Sequence, residues 1–258
     1  MINSLFDLTG HVSLVTGGNS GIGLGMAEGL AASGANVCIW GTNVEKNVAA
    51  IEALRQYGTK VKSRIVDVGD EAAVLAGVDA LITDFGRVDS CFANAAVAGG
   101  HNNPRFVDST LEHWRSTMRV NLDGAYLTMR EVAKHMVNQG TGGSLVGTAS
   151  ISVEFGAARE EAYAASKAGI VAMMRGLAVE LGRYNIRANS LLPGWTMSPM
   201  MEPWAAQSGV NDKILPRIPL RRWGRPQEWA GIAVYLASTE SSFHTGDTLR
   251  IDGGYSVY

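Results

Sequence analysis

Cysteine is scarce in this chain of 258 residues: Cys38 and Cys91 are the only two. Each sits in a short apolar run, VCIW and SCFA, that reads as a strand. Buried free thiols are therefore expected rather than a disulfide. Charge is scarce too. Lys, Arg, Asp and Glu make up 18% of the chain and sum to −2, against about a quarter in an average domain. That argues for much buried surface and against disorder. No run of lysines and arginines stands out, so the electrostatic footprint of a nucleic-acid binder is missing. The five histidines (His11, His101, His113, His135 and His244) are scattered, with no Cys, Asp or Glu at metal-ligand spacing. A metal site is not expected. The opening residues, MINSLFDLTGHVSLVTGG, lack the basic-then-apolar pattern of a signal peptide. No apolar stretch is long enough to span a bilayer. The expectation is a soluble, cytoplasmic protein with neither a membrane nor a nucleic acid as partner.

What is present is apolar residue in quantity, 46% of the chain, enough to fill a large core. Short β-branched runs alternate with longer amphipathic ones. Strands are expected at Val12 to Thr16, Asn36 to Trp40, Val61 to Val66, Val88 to Ala93, Ser144 to Thr148, Ile186 to Leu192 and Thr248 to Ile251. Helices are expected over Ile22 to Ser33, Val44 to Tyr57, Glu71 to Phe85, Leu111 to Asn138 and Glu161 to Tyr184. Alternation at this spacing demands parallel pairing with crossover helices. The predicted fold is one doubly wound α/β domain over residues 1–258, Rossmann-like, with a seven-stranded parallel sheet and helices on both faces. One long segment, Pro193 to Pro226, has no clear period and is rich in Pro, Met and Trp. Long loops in compact domains tend to be functional, and ligands of open α/β sheets bind beyond the carboxyl ends of the strands, where this loop begins.

The first strand runs into Thr16-Gly17-Gly18-Asn19-Ser20-Gly21-Ile22-Gly23 and then a helix. Glycines permit a tight turn and a close approach of backbone to pyrophosphate, and the helix start offers unpaired N–H groups. A purely structural turn is the competing account, and the spacing is not that of the common G-x-G-x-x-G fingerprint. The second strand ends in Trp40-Gly41-Thr42-Asn43, without the acidic residue that holds a ribose 2′-hydroxyl in NAD enzymes. Thr42 and Asn43 offer donors to a 2′-phosphate, yet neither 42 nor the turn at 19 and 20 carries Arg or Lys. The balance leans to NADP(H) over NAD(H). Asp67, followed by Val68, ends the third strand. Two roles stand for it, accepting from an adenine amine or capping the next helix.

Tyr163 and Lys167 are four residues apart on the helix after strand five, hence on one face. A neighbouring cation favours a phenolate, which would make Tyr163 a usable acid/base. An exposed helix face is the plainer account of such a pair. Ser150, ending strand five, would place a hydroxyl at the carboxyl edge of the sheet. Asn121 lies in the interior of a helix, where asparagine is a modest former; a surface asparagine is the alternative.

Together these motifs resemble the short-chain dehydrogenase/reductase family, in its branch of single-domain enzymes. The likeness runs nearly end to end: the Thr-Gly-x-x-x-Gly-Ile-Gly turn, Asn94-Ala95, Val120-Asn121-Leu122, Ser150, Tyr163-x-x-x-Lys167, Pro193-Gly194 and Ile251-Asp252-Gly253-Gly254. The resemblance implies an oxidoreductase that moves a hydride between a nicotinamide dinucleotide and a carbonyl or secondary alcohol. It makes Tyr163 the acid/base. It makes Lys167 the group that lowers the phenol pKa and holds the nicotinamide ribose. Ser150 becomes the partner of the reacting oxygen, and Asn121 the support of a proton path to Lys167. Thr196 and Ser198, after Pro193-Gly194, become candidates for contact with the carboxamide. It also implies a homotetramer, with 111–138 and 161–184 as its interface helices. The chain departs from the family where Ala93-Asn94-Ala95-Ala96 replaces Asn-Asn-Ala-Gly and where Gly147 stands in place of Asn.

A substrate pocket is expected near Ser152 and Val153, along Ala95 to Gly99, and on the loop with Trp195, Met200, Met201 and Trp204. Aromatic and Met side chains suggest an apolar carbonyl or alcohol; packing of that loop against the core or a neighbouring subunit would use the same residues. Glu154, Arg159 and Glu160 offer polar recognition instead. The C-terminal Tyr255 to Tyr258 is apolar enough to be docked. An NAD-dependent polyol, sugar or steroid dehydrogenase is the alternative within enzymes. A dinucleotide binder without chemistry would be expected to lose Asn121, Ser150, Tyr163 or Lys167. A methyltransferase leaves the Tyr163/Lys167 pair unexplained.

Overall fold

The inner strands are buried on both faces, and the computed structural model, which describes residues 5–98 and 103–257, shows why. Along β1 (Val12–Thr16), β2 (Asn36–Trp40) and β4 (Ser90–Ala93), alternate residues enter opposite cores. Leu14, Cys38 and Cys91 face one; Val15, Ile39 and Phe92 face the other. With helices on both sides, neither face meets water, so the usual apolar/polar alternation is absent. Both cysteines are buried and free.

β1, β2, β3 (Val61–Arg64), β4, β5 (Gly143–Thr148), β6 (Ile186–Pro193) and β7 (Thr248–Ile251) form one sheet in the order β3-β2-β1-β4-β5-β6-β7. Every pairing is parallel. α1 (Gly21–Ala32) and α2 (Val44–Arg55) pack on one side with α9 (Ala230–Ala237); α3 (Glu71–Phe85), α5 (Gly124–Gln139) and α6 (Glu161–Leu181) pack on the other. The strand order reverses between β1 and β4. In such sheets this reversal opens a crevice beyond the strand ends.

Three expectations are corrected. The helix foreseen over Leu111 to Asn138 is two helices, α4 (Leu111–Met118) and α5, joined by a π-helical turn at Arg119–Asp123. Asn121 therefore sits in a widened turn, not in regular helix. The cap of α3 is Asp70, whose carboxylate accepts from the N–H groups of Ala72 and Ala73; Asp67 does not cap it. The segment Pro193 to Pro226 is not featureless, since it carries the short helices α7 (Glu202–Ala205) and α8 (Val210–Ile214). α9 escaped the sequence reading altogether. Its sequence, AGIAVYLA, is apolar nearly all round, packing against α1 and β5, so it has no amphipathic period to read. Gly99, His101 and Tyr258 lie outside the described residues, as do the first four.

Candidate active site

The carboxyl ends of the strands open into a cleft of about 970 Å³. At its floor the β1–α1 turn is tied to β4. Thr16 Oγ1 accepts from the Asn94 and Ala95 N–H groups, both at 3.0 Å, and Asn94 Nδ2 donates to the Thr16 carbonyl at 3.2 Å. Gly17 and Gly21 take φ values of +64° and +54°, conformations that side chains rarely adopt. A Cβ at Gly23 would overlap the Gly17 carbonyl, so Gly23 sits beneath the turn and shapes it without lining the cleft. α2 and α3 are capped by Asn43 and Asp70, whereas Ser20 makes no side-chain bond to the start of α1. An uncapped helix start above paired glycines is a fit for pyrophosphate.

Of the residues expected to meet a dinucleotide, Asn19, Ser20, Ile22, Gly41, Thr42, Asn43, Asp67, Val68, Asn94 and Ala95 line this one cleft with Gly17 and Gly21. So do Pro193, Gly194, Thr196 and Ser198 from the far end of the sheet. Two neighbours went unnoticed in the sequence. Lys46, in the first turn of α2, lines the cleft beside Thr42 and Asn43. Asn47 holds the corner: Asn19 Nδ2 donates to Asn47 Oδ1 at 2.7 Å, and Asn47 Nδ2 donates to the Gly41 carbonyl at 3.0 Å. The signal for Lys46 was its position three residues after the Asn43 cap, which keeps it within reach of the strand end.

At the opposite end, Ser150, Tyr163 and Lys167 converge. The Ser150 and Tyr163 hydroxyls are hydrogen-bonded. Lys167 Nζ lies 5.6 Å from the Tyr163 ring centre and donates to the Thr148 carbonyl at 2.8 Å. Asn121 is fully buried behind them. It accepts from Val97 N–H at 2.8 Å and donates to the Val97 carbonyl at 3.0 Å and to Ser166 Oγ at 3.1 Å. It thereby fastens the loop after β4 to α6 rather than facing the cleft. Ser152, Trp195, Met200, Met201 and Trp204 line the cleft with Phe155 and Tyr255; Val153 packs against the core instead. Trp195 and Trp204 stack with centroids 4.9 Å apart, and Tyr255 meets both Trp195 and Phe155 edge-on. Of the polar alternatives, Arg159 and Glu160 line the cleft, while Glu154 pairs with Arg250.

Burial governs both titrating groups. It pushes the Tyr163 phenol up to about 12, with the Ser150 hydrogen bond pulling down and Glu160 pushing up. It brings the Lys167 ammonium down to about 7. Spacing on one helix face points to attraction between the pair, but in the folded chain loss of water is the larger effect for each. The consequence for stability has a definite sign. Below pH 7 the folded and unfolded chains both carry the Lys167 charge, and burying it is a full penalty. From about 7 to about 10 the unfolded chain holds a proton that the folded one has released, so stability rises with pH. Above pH 10 Tyr163 reverses the trend, because the unfolded phenol ionises first. Urea midpoints should climb between pH 7 and about 9.5, and Lys167→Met should flatten that climb. An unchanged slope in the variant would overturn the assignment to Lys167.

A nucleotide-sized crevice at the strand reversal, an uncapped helix start over glycines, and a Ser–Tyr–Lys set at the other end define a nicotinamide-dependent oxidoreductase acting on a carbonyl or CH–OH group. The comparisons agree. The family model described as Enoyl-(Acyl carrier protein) reductase matches residues 17–256. The 2-dehydro-3-deoxy-D-gluconate 5-dehydrogenase of Dickeya dadantii is 33% identical over 255 residues, 99% of each chain. A short-chain type dehydrogenase/reductase from Mycobacterium marinum superposes with a TM-score of 0.94 at 33% identity, covering 100% of both chains. A gluconate 5-dehydrogenase from Burkholderia cenocepacia, in complex with NADP and tartrate, gives 0.91 at 32% identity, again over 100% of both. The chain belongs to the short-chain dehydrogenase/reductase family.

Proposed function

We propose that this enzyme interconverts the carbonyl and secondary alcohol of a fairly apolar small molecule, with NADP(H) as its preferred dinucleotide. The observation that carries the substrate reading is the aromatic wall of Trp195, Trp204, Tyr255 and Phe155 beside Ser150 and Tyr163. Such a surface suits the face of a ring better than a chain of hydroxyls. A nicotinamide bound in the cleft would supply or take the hydride. Ser150 and Tyr163 hold the substrate oxygen between their hydroxyls. Tyr163, kept protonated by burial, delivers its proton to that oxygen in reduction and recovers it in oxidation. Lys167, anchored on Thr148, is placed to bind the nicotinamide ribose. NADPH consumption against aromatic, alicyclic and sugar-like carbonyls tests this reading, and best turnover of sugar-like compounds would overturn it. A sugar-acid substrate is the second reading. It is favoured by the Dickeya and Burkholderia relatives and by Arg159 at the cleft.

The dinucleotide preference is supported by Lys46 beside Thr42 and Asn43. Among the described residues that line the cleft, the carboxylates are Asp67 and Glu160, and neither is in the Gly41–Asn43 stretch. Lys46→Glu should lower kcat/KM for NADPH at least about tenfold and leave NADH the better cofactor. An NADPH preference that survives this change would remove Lys46 from the argument.

The proposal extends to assembly and place. Exposed apolar residues on the two interface helices, Tyr126 on α5 and Val179 on α6, support a homotetramer, which sedimentation would test. Two buried free thiols fit a cytoplasmic enzyme. Among the described residues, no helix is long and apolar enough to cross a membrane.

A further inference from the structure

We propose that Ser166 is a positioning residue: through Asn121 it holds the turn of α6 that bears Tyr163 at a fixed distance from the cleft wall at Val97. This rests on Tyr163 as the proton donor, and on neither the dinucleotide preference nor the substrate class. Ser166 follows Tyr163 by one helical turn and is fully buried. Its hydroxyl donates to the Tyr163 carbonyl at 2.7 Å and accepts from Asn121 Nδ2 at 3.1 Å. A serine hydroxyl has one proton. With that proton on the Tyr163 carbonyl, Ser166 can only accept from Asn121, which fixes the end of the carboxamide that faces it. Asn121 Oδ1 is then left for the Val97 N–H, a group that can only donate. Every bond of this strut has one direction, and it runs from the Val97 backbone to the Tyr163 backbone.

A serine that donates to the carbonyl one turn back is an ordinary feature of helices and carries nothing alone. What sets Ser166 apart is its second bond, to a different element. Asn121 sits in the π-helical turn, a geometry that gathers at functional sites. Arg119 secures the start of that turn by donating to Asp67 Oδ2 at 2.9 Å. The two ends of the strut both matter to the reaction. Val97 lines the cleft with Ala95 and Ala96, on the stretch expected to meet the dinucleotide, and Tyr163 lines it beside Ser150. Hydride and proton must reach one carbonyl group from these two supports. A displacement of about 1 Å between such supports costs up to about 10²-fold in rate.

Three substitutions separate this role from packing. Ser166→Ala removes the hydroxyl, Ser166→Cys fills its space with a weakly bonding thiol, and Ser166→Thr keeps the hydroxyl. The first readout is amide hydrogen exchange at Val97, a residue with which Ser166 shares no hydrogen bond. Exchange should quicken about tenfold in the Ala and Cys variants and stay within about twofold of wild type in the Thr variant. The second is single-turnover hydride transfer from NADPH to the aromatic, alicyclic or sugar-like carbonyl that wild type reduces fastest. It should slow about 30-fold in the Ala and Cys variants, with NADPH affinity by calorimetry within about twofold. Unchanged exchange at Val97 in the Ala variant overturns the proposal. So does a Cys variant that matches wild type in both readouts, which would make Ser166 a filler of space. A wild type that reduces none of the carbonyls would count against the catalytic reading instead, and the exchange at Val97 would still decide the strut.

Discussion

Replacing Tyr163 by Phe should lower kcat by about 10³-fold while dinucleotide affinity stays within about threefold. The change removes one oxygen and nothing else. That oxygen is hydrogen-bonded to Ser150, and burial keeps its proton in place to about pH 12, so at neutral pH the proposed donor carries its proton. Phe keeps the ring that faces Lys167 and the packing around it. The affinity should persist because the glycine turn and the Gly41–Asn43 corner are at the other end of the cleft. Stopped-flow hydride transfer, with binding followed separately by calorimetry, checks both halves. Near wild-type turnover in the variant would overturn the role of Tyr163.

Gly25→Ala should be the most damaging methyl that can be added to α1. A Cβ there would overlap the Pro226 carbonyl, and the next atom in its path is the Gln227 nitrogen at 3.2 Å. All of these are backbone, so no rotamer change relieves the contact; α1 or the Pro226–Trp229 turn must move. Overpacking of this kind costs about 3 kcal/mol or more, a fall of roughly 10 °C in the unfolding midpoint for a chain of this length. Gly231→Ala, on α9, is the control. Nothing lies within 4 Å of its added Cβ, so helix propensity alone should make it neutral or slightly stabilising. A Gly25→Ala protein as stable as wild type would mean that α1 does not need this close approach.

The sheet was legible because buried strands declare themselves. β1, β2 and β7 fell where the β-branched runs lay, and the alternation with amphipathic helices dictated parallel order. The edges were softer. β3 ends at Arg64 rather than Val66, because Ile65 and Val66 leave the ladder as the chain turns into the cleft wall. α9 was invisible for a different reason: it carries no charged side chain and its exposed position is a glycine, Gly231, so it lacks the contrast that periodicity measures. The site divides in the same way. The glycine turn, Ser150, Tyr163 and Lys167 announce themselves through spacing. Asn47 and Arg119 have no local signal, and Lys46 has only its spacing from the Asn43 cap, because their meaning lies in which strand end they face. The balance of pKa effects was likewise out of reach, since desolvation depends on burial that only the folded chain displays.

The widened turn at Arg119–Asp123 sets an angular phase. A π-turn holds one residue more than an α-turn, and each helical residue advances the side-chain direction by about 100°. Everything on α5 is therefore rotated relative to α4. After that step Ala125, Met129, Val132 and Met136 face the core, while before it Thr117 is the only buried residue of α4. Removing one residue from the turn would leave an unbroken ladder of hydrogen bonds. It would also swing the α5 stripe off the sheet, or swing Arg119 and Asn121 away from Asp67 and Val97. The helix pair behaves as a dial whose setting is a single residue of length.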